Sequence, residues 1–284
     1  MNKLPRGWKR VLIMGDTHCG HRVGLTPPGW QLQPLDDPDE KESVMYKRSK
    51  WLRIQQETWK LFSSRVTRSG PFDLVIGMGD MIDGTGFRSG GTELITTDRQ
   101  VQCDIAIRVL RQTKCKNFCL VHGTPYHTGD VEDMEDQIAA HFDQLPGYRC
   151  EIGDHEWPEI NGVVFDVKHS VGSSTIPHGR ATAVAKENLW NIIWAEHKEQ
   201  PRADILVRGH VHYYGHQDYM VNGRAKHLAT IPALQAMGTK FGARKCSGHI
   251  DWGFVVVEIG PKGEISWQPN VLPIDAQRAQ TSQW

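Results

Sequence analysis

Short apolar runs of four or five residues recur along the chain, and several of them end in glycine, aspartate or histidine. Uninterrupted apolar runs of this length indicate strands that are buried on both faces of a sheet. We predict strands of this kind at residues 11–14, 73–76, 117–121, 163–167, 204–207 and 254–257.

Helical spacing of apolar residues fills the intervals between these runs. We predict helices over residues 45–66 and 180–199, and two further helices that begin at Asp98 and Asp130. Acidic residues crowd the first turn after Asp130, which favours a helix N-terminus because the helix dipole is positive there. Strands that alternate with helices indicate an α/β layered fold.

Two segments rich in glycine, proline and polar residues are predicted to be long loops, residues 19–44 and residues 232–252. The second loop carries the basic residues Lys240, Arg244 and Lys245, which are expected to be solvated. No composition shift marks a boundary inside the chain. We therefore predict one domain over residues 1–268 and a polar C-terminal tail over residues 269–284.

Composition narrows the choice of partners and compartment. Lysine plus arginine equal aspartate plus glutamate at 33 each, so the chain has no global field that attracts nucleic acid or an anionic membrane. No apolar run approaches the ~20 residues that span a bilayer. The six cysteines show no CxxC spacing and are expected to be reduced thiols. We expect a cytoplasmic protein without a membrane partner; the oligomeric state stays open.

Residue types that bind metals follow five of the predicted strands. They form the segments Asp16-Thr-His18, Gly79-Asp80, His122-Gly-Thr124, Lys168-His169 and Gly209-His210-Val-His212. Sites in open α/β sheets form beyond the carboxyl ends of the strands, so these side chains are expected to converge. The D-x-H and H-x-H spacings place two ligands on one side of an extended segment. Imidazole and carboxylate groups suit Mn, Fe, Zn or Ni.

Taken in order, these motifs resemble those of the calcineurin-like metallophosphoesterase superfamily, over residues 11–212. The resemblance implies a four-layer α/β/β/α sandwich with a site for two divalent metal ions at its loop edge. Manganese is the favoured metal, with Fe, Zn or Ni as alternatives. The implied metal ligands are Asp16, His18 and His212 for the first ion, Asp80 for both ions, and His169 and His210 for the second. Asp83 would be a supporting residue.

One motif departs from the family pattern. Thr124 stands where the family carries an asparagine ligand, and a neutral hydroxyl binds a metal less well than an amide carbonyl. The second metal would then be weakly held by Thr124 or completed by water. His127 lies two residues beyond the usual histidine, but a turn at Pro125 can return it to the same space. This Gly-Thr-Pro-x-His segment resembles phage and prophage members of the superfamily, and we predict His127 as general acid.

The resemblance implies a phosphoesterase in which a hydroxide between two cations attacks phosphorus, with Asp80 and His127 as catalytic residues. Protein phosphatases of this type carry an arginine that grips a phosphate dianion, but Gly84 occupies that position here. We therefore favour a phosphodiesterase, with DNA or RNA among the candidate substrates. A phosphomonoesterase stays open. So does a catalytically weak member that serves as a protein-binding scaffold, which Thr124 favours and the near-complete ligand set opposes.

Signals for nucleic acid are few. A basic helix around Lys47, Arg48 and Arg53 is compatible with a phosphate-binding face, although a solvated face explains it equally well. Core packing is expected for most of the ten tryptophans, which include Trp190 and Trp194 on a predicted helix. A role in stacking with bases would require exposed rings.

Overall fold

The computed structural model describes residues 4–34, 41–129, 133–174, 176–221, 223–238, 250–278 and 281. Its strands are β1 (Lys9–Met14), β2 (Leu74–Gly77), β3 (Asn117–Val121), β4 (Arg149–Gly153), β5 (Glu159–Ile160), β6 (Val163–Lys168), β7 (Ile205–Arg208), β8 (Gly215–Val221), β9 (Arg224–Thr230), β10 (Trp252–Ile259) and β11 (Ile265–Leu272). Its helices are α1 (Glu42–Ser69), α2 (Arg99–Gln112), α3 (Pro125–Thr128), α4 (Met134–Asp143) and α5 (Arg180–Glu196).

The strands form two mixed sheets. The first has the order β11-β10-β1-β2-β3-β4 and the second the order β5-β6-β7-β9-β8. Strands β1 to β4 run parallel to one another, and so do β6, β7 and β9. The carboxyl ends of β1, β2 and β3 therefore lie at one edge of the first sheet, and those of β6 and β7 at one edge of the second.

The alternation of side chains along each strand shows which of the cores each residue faces. Leu12 of β1 belongs to a core shared with α1, α2 and α4, whereas its neighbour Ile13 belongs to a core between the two sheets. Val207 of β7 faces the same inter-sheet core, and Leu206 packs with Val184 of α5. Successive residues of a strand point to opposite faces, so each sheet separates two cores. The fold is the expected four-layer α/β/β/α sandwich.

Caps locate the helix starts. The Asp98 carboxylate accepts hydrogen bonds from the backbone N–H groups of Gln100 and Val101, at 2.9 and 3.3 Å, and α2 begins at the next residue as predicted. Asp133 caps α4 by accepting from the Glu135 N–H at 2.9 Å. The predicted start at Asp130 lies outside the described residues.

The C-terminal residues are more ordered than a polar tail. Strand β11 pairs with β10 up to Leu272, so the predicted boundary at residue 269 falls inside a strand. Beyond it, the Glu57 carboxylate of α1 accepts from the N–H groups of Asp275 and Ala276 at 2.8 Å each. Edge strands with polar residues give a weak sequence signal because only one face is buried.

Trp190 and Trp194 differ from the expectation of core packing. They are 52% and 43% exposed, because α5 is an outer-layer helix that buries its opposite face through Val184 and Asn188. No helix in the described part of the chain is long and apolar enough to cross a membrane. Five cysteines are described, all as buried free thiols; the basic loop residues Lys240, Arg244 and Lys245 lie outside the described ranges.

A substitution at Phe165, whose side chain is fully buried between the two sheets, tests the inter-sheet core. We expect Phe165→Ala to lower the free energy of unfolding by about 3–5 kcal/mol, because the change removes apolar contacts and leaves a cavity. Urea denaturation followed by circular dichroism measures the loss. Phe87→Ala is the control, since that ring is 86% exposed and should change the value by less than about 0.5 kcal/mol. Equal effects would contradict the layer assignment.

Candidate metal centre

The strand-end residues of both sheets meet at one edge of the sandwich. Asp16 and His18 follow β1, Asp80 follows β2, and His169 follows β6. Contacts between side chains join the two sheets here: His169 Nε2 lies 3.1 Å from Asp80 Oδ2, and His212 Nε2 lies 3.1 Å from Asp16 Oδ1. Ligand types predicted from five separate segments are therefore neighbours.

Three trios of side chains among the described residues have the spacing of metal ligands. One of them, His18 with Asp83 and His127, shares His18 with the first trio below, and its members contact one another through Asp83. The other two contain the predicted ligands. Within each trio, the potential ligand atoms lie within 4.8 Å of one another. The first trio consists of Asp16, His18 and His212, and the second of Asp80, His169 and His210. Asp80 Oδ2 is also 4.0 Å from His18 Nε2, so its carboxylate lies between the trios. The second trio opens to solvent at the exposed side chain of His210.

The backbone at these residues adopts an unusual conformation. The φ angles are positive at Asp16 (48°), His18 (43°), Asp80 (49°), His210 (68°) and His212 (54°), in the left-handed region that side chains with a Cβ rarely occupy. Each such residue costs on the order of 1–3 kcal/mol. Five of the eight described non-glycine residues with positive φ are predicted ligands, so this backbone strain is concentrated at the centre.

Close approach of the loops explains two of the glycines. A Cβ atom at Gly123 would collide with Oδ1 and the backbone nitrogen of Asp80. At Gly79, where φ is +79°, a Cβ atom would lie 2.8 Å from the Gly123 Cα and 2.9 Å from His169 Nδ1. The loops after β2, β3 and β6 can meet only because neither position carries a side chain.

Hydrogen bonds behind the trios orient two imidazole rings. His18 Nδ1 donates to Asp83 Oδ1 at 2.7 Å, and His169 Nδ1 donates to the Met78 carbonyl at 2.6 Å. Histidines that bind metals commonly use one ring nitrogen in this way, which leaves the other for the ion. Burial, together with the nearby charge of His127, lowers the pKa of His18 well below its usual value. A neutral imidazole is the form that binds a metal.

Two buried donor atoms of the centre face an opposite charge but form no hydrogen bond. Asp16 Oδ1 lies 3.1 Å from His212 Nε2, and His169 Nε2 lies 3.1 Å from Asp80 Oδ2, yet neither atom has a hydrogen bond of ordinary geometry to any described atom. Buried polar atoms are nearly always hydrogen-bonded, so such atoms call for an explanation, and an ion between them is one. Carboxylate and imidazole donors together suit a divalent cation. The residues present therefore fit a metal ion.

Charge in the centre also favours a cation. Burial by itself would raise the pKa of the Asp80 carboxyl, but the His169 ring 3.1 Å away, together with the charge of His18, outweighs it and holds the pKa well below its usual value. Burial disfavours the charged form of His169, yet the Asp80 and Asp16 carboxylates outweigh that effect and raise its pKa to about 10. Two ionised carboxylates in a buried site attract positive charge.

The segment after β3 places Thr124 and His127 beside the trios. The N–H and Oγ1 of Thr124 donate to Asp80 Oδ1 at 2.7 and 3.0 Å, so the hydroxyl supports the Asp80 carboxylate. Helix α3 starts after Thr124 and turns His127 back toward the centre. There His127 Nδ1 donates to the Asp83 carbonyl at 3.0 Å, and its ring centroid lies 4.6 Å from that of His18.

Glu135 is a buried part of the centre that the sequence analysis did not single out. Its carboxylate accepts from the N–H groups of Met81 at 2.6 Å and Gly123 at 2.7 Å, which ties the loops after β2 and β3 to α4. Burial raises its pKa to about 8. The spacing of Glu135 from Ile138 and Phe142 matches the buried stripe of α4, and this is the signal that predicts an inward carboxylate.

Comparisons with known proteins give similarity to solved structures alone. No protein-family model matches the chain, and no curated protein matches it significantly. Vps29 from Entamoeba histolytica, solved with Zn²⁺, is 16% identical, with 92% of this chain and 98% of that chain covered and a TM-score of 0.43. An archaeal phosphodiesterase is 13% identical, with 93% and 99% covered and a TM-score of 0.41. Because these sequence identities and TM-scores are low, the similarity carries no argument about the function of this chain.

Gly123 offers a test of the loop contact. We expect Gly123→Ala to weaken Mn²⁺ binding by at least about tenfold, because the new methyl group displaces Asp80. Isothermal titration calorimetry measures the affinity, and circular dichroism checks the fold. Gly172→Ala is the matched control, since a Cβ atom there meets nothing within 4 Å. Indistinguishable affinities in the two variants would refute the role of the contact.

Proposed function

We propose that this chain is a metal-dependent phosphoesterase of the calcineurin-like type that acts on phosphodiesters. The observation that carries the proposal is the pair of neighbouring His/Asp trios, of which the second contains Asp80, with Asp16 Oδ1 and His169 Nε2 buried and without a hydrogen bond to any described atom. A hydrolase of this class needs clustered cations, and the geometry supplies two adjacent groups of donors for them.

The trios suggest which residues would hold two divalent ions, with manganese favoured. The first ion would be held by Asp16, His18 and His212, and the second by His169 and His210. The carboxylate of Asp80 would contact both, and Thr124 stays a predicted further ligand of the second. Bound ions would lower the pKa of a water molecule and neutralise negative charge on the phosphoryl oxygens.

His127 is suited to proton transfer in this reaction. Its Nδ1 is used by the Asp83 carbonyl, which orients the ring and leaves Nε2 to hold a proton for the leaving oxygen. The ring is partly exposed beside the first trio, where a substrate can reach it. A positioned general acid typically contributes ~10²–10⁴-fold to the rate.

Position 84 favours diesters over monoesters. A monoester dianion carries one more negative charge than a diester, and the protein phosphatase arginine that grips it is replaced here by Gly84. No side chain fits at this position, because a Cβ atom would lie 2.5 Å from the His127 carbonyl oxygen and φ is +73°.

Metal analysis combined with turnover tests the proposed function. With added Mn²⁺, we expect two ions per chain and faster hydrolysis of bis-p-nitrophenyl phosphate than of p-nitrophenyl phosphate. EDTA should remove the ions and abolish the hydrolysis. Turnover of the monoester alone would indicate a phosphatase, and bound metal without turnover a binding scaffold.

Asp80→Ala should lose both ions together, because its carboxylate lies between the trios. Retention of two ions by Asp80→Ala would contradict the bridging role.

His127→Ala separates proton transfer from metal binding. We expect the variant to keep its metal ions and to lose ~10²–10⁴-fold in kcat for a diester with a poor leaving group, because that leaving group needs a proton. Quench-flow or gel assays with an oligonucleotide measure the rate, and elemental analysis measures the metal. His197→Ala, at an exposed position after α5, is the control. Full turnover in His127→Ala would disprove the assignment.

A further inference from the structure

An exposed aromatic group borders the candidate metal centre on the His127 side. The Tyr126 ring packs edge-on against the His127 ring, with centroids 4.8 Å apart, and is 36% exposed. The Phe87 ring is 86% exposed, the highest value among the large apolar side chains of the described residues. A phenyl ring in water forgoes the ~1.5–3 kcal/mol that burial of such a side chain provides.

Backbone hydrogen bonds define the turn that carries Phe87. The short helical turn Phe87–Ser89 lies between Gly86 and Gly90, whose φ angles of 63° and 59° are left-handed. The N–H groups of Ser89 and Gly91 donate to the Gly86 carbonyl at 2.9 and 3.0 Å, which closes the turn. The exposed ring therefore projects from a defined backbone.

Arg88 connects this turn to the metal centre. Its backbone N–H donates to the Tyr126 hydroxyl at 3.0 Å, and its guanidinium lies over the Tyr126 ring, 4.9 Å from the centroid. Tyr126 in turn contacts His127. The Tyr126 ring and the Arg88 cation are thus joined by direct contacts to the predicted general acid, and Phe87 is the chain neighbour of Arg88.

We propose that Phe87, Arg88 and Tyr126 form a platform for an unpaired nucleobase next to the scissile phosphate, which makes single-stranded nucleic acid the substrate class. This inference rests on the proposed function. Every base has a face that stacks on an aromatic ring, and an arginine contacts the neighbouring phosphate. In a duplex the base faces are already covered by their neighbours.

Binding of two matched oligonucleotides tests the platform. The probes are a fluorescein-labelled phosphorothioate octathymidylate and an abasic octamer with the same backbone, added to the Mn²⁺-loaded full chain and read by fluorescence anisotropy. We expect tighter binding of the octathymidylate. Phe87→Ala should weaken it by about tenfold or more while affinity for the abasic octamer is unchanged, because one stacking contact is lost.

Two further variants control for the fold and for exposed rings in general. Phe87→Trp retains an aromatic face and should bind the octathymidylate as the unmodified chain does. Trp190→Ala removes a ring that is 52% exposed on α5, in the outer layer, and should leave both affinities unchanged. Equal affinity for both probes, an equal loss for both in Phe87→Ala, or no binding of either probe would overturn the platform.

The result separates this inference from the proposed function. A chain that hydrolyses diesters but does not distinguish the two probes keeps its phosphodiesterase function and loses the platform. A chain that binds the octathymidylate through Phe87 but hydrolyses no diester supports the platform and overturns the proposed function.

Discussion

Carboxylates and imidazoles are buried against one another at the edge where the two sheets meet, and their charges govern the centre. Asp16 Oδ1 and His169 Nε2 are shielded from solvent, and each lies 3.1 Å from an oppositely charged group without forming a hydrogen bond to any described atom. Burial of polar groups without partners is unfavourable, and left-handed backbone at the predicted ligands adds strain in the same place. A bound cation would relieve the unsatisfied charge, so we expect metal binding and folding stability to be coupled.

Residues outside the two trios make many of the hydrogen bonds that orient the side chains of the centre. Asp83 and the Met78 carbonyl orient two imidazole rings, while Thr124 donates two hydrogen bonds to Asp80. Glu135 holds the loops after β2 and β3 in place. Because the two trios also bring together loops of both sheets, the packing of the inter-sheet core sets the distance between their donor atoms.

The surroundings of the centre are asymmetric. His210 is the exposed member of the second trio, so that side of the centre is open to solvent. On the other side, the His127 ring contacts the rings of His18 and Tyr126, and the Arg88 guanidinium lies over the Tyr126 ring. An open metal side next to an aromatic rim suits a substrate that has both a phosphate and a flat group. The chain has no net charge to recruit polyanions, so selectivity would come from such local contacts.

Local sequence patterns predicted six of the eleven described strands, the layered fold and the residue types at the strand ends, because apolar runs and ligand spacings are short-range signals. They did not reveal β4, β5, β8, β9 and β11 or the exposure of Trp190, which depend on what packs against each residue. Which donor atoms face one another across the centre follows from the tertiary structure. His18 and His212 are 194 residues apart and come within 3.3 Å because two separate sheets stack with their strand ends at one edge. That distance is set by packing between layers, which no local pattern encodes.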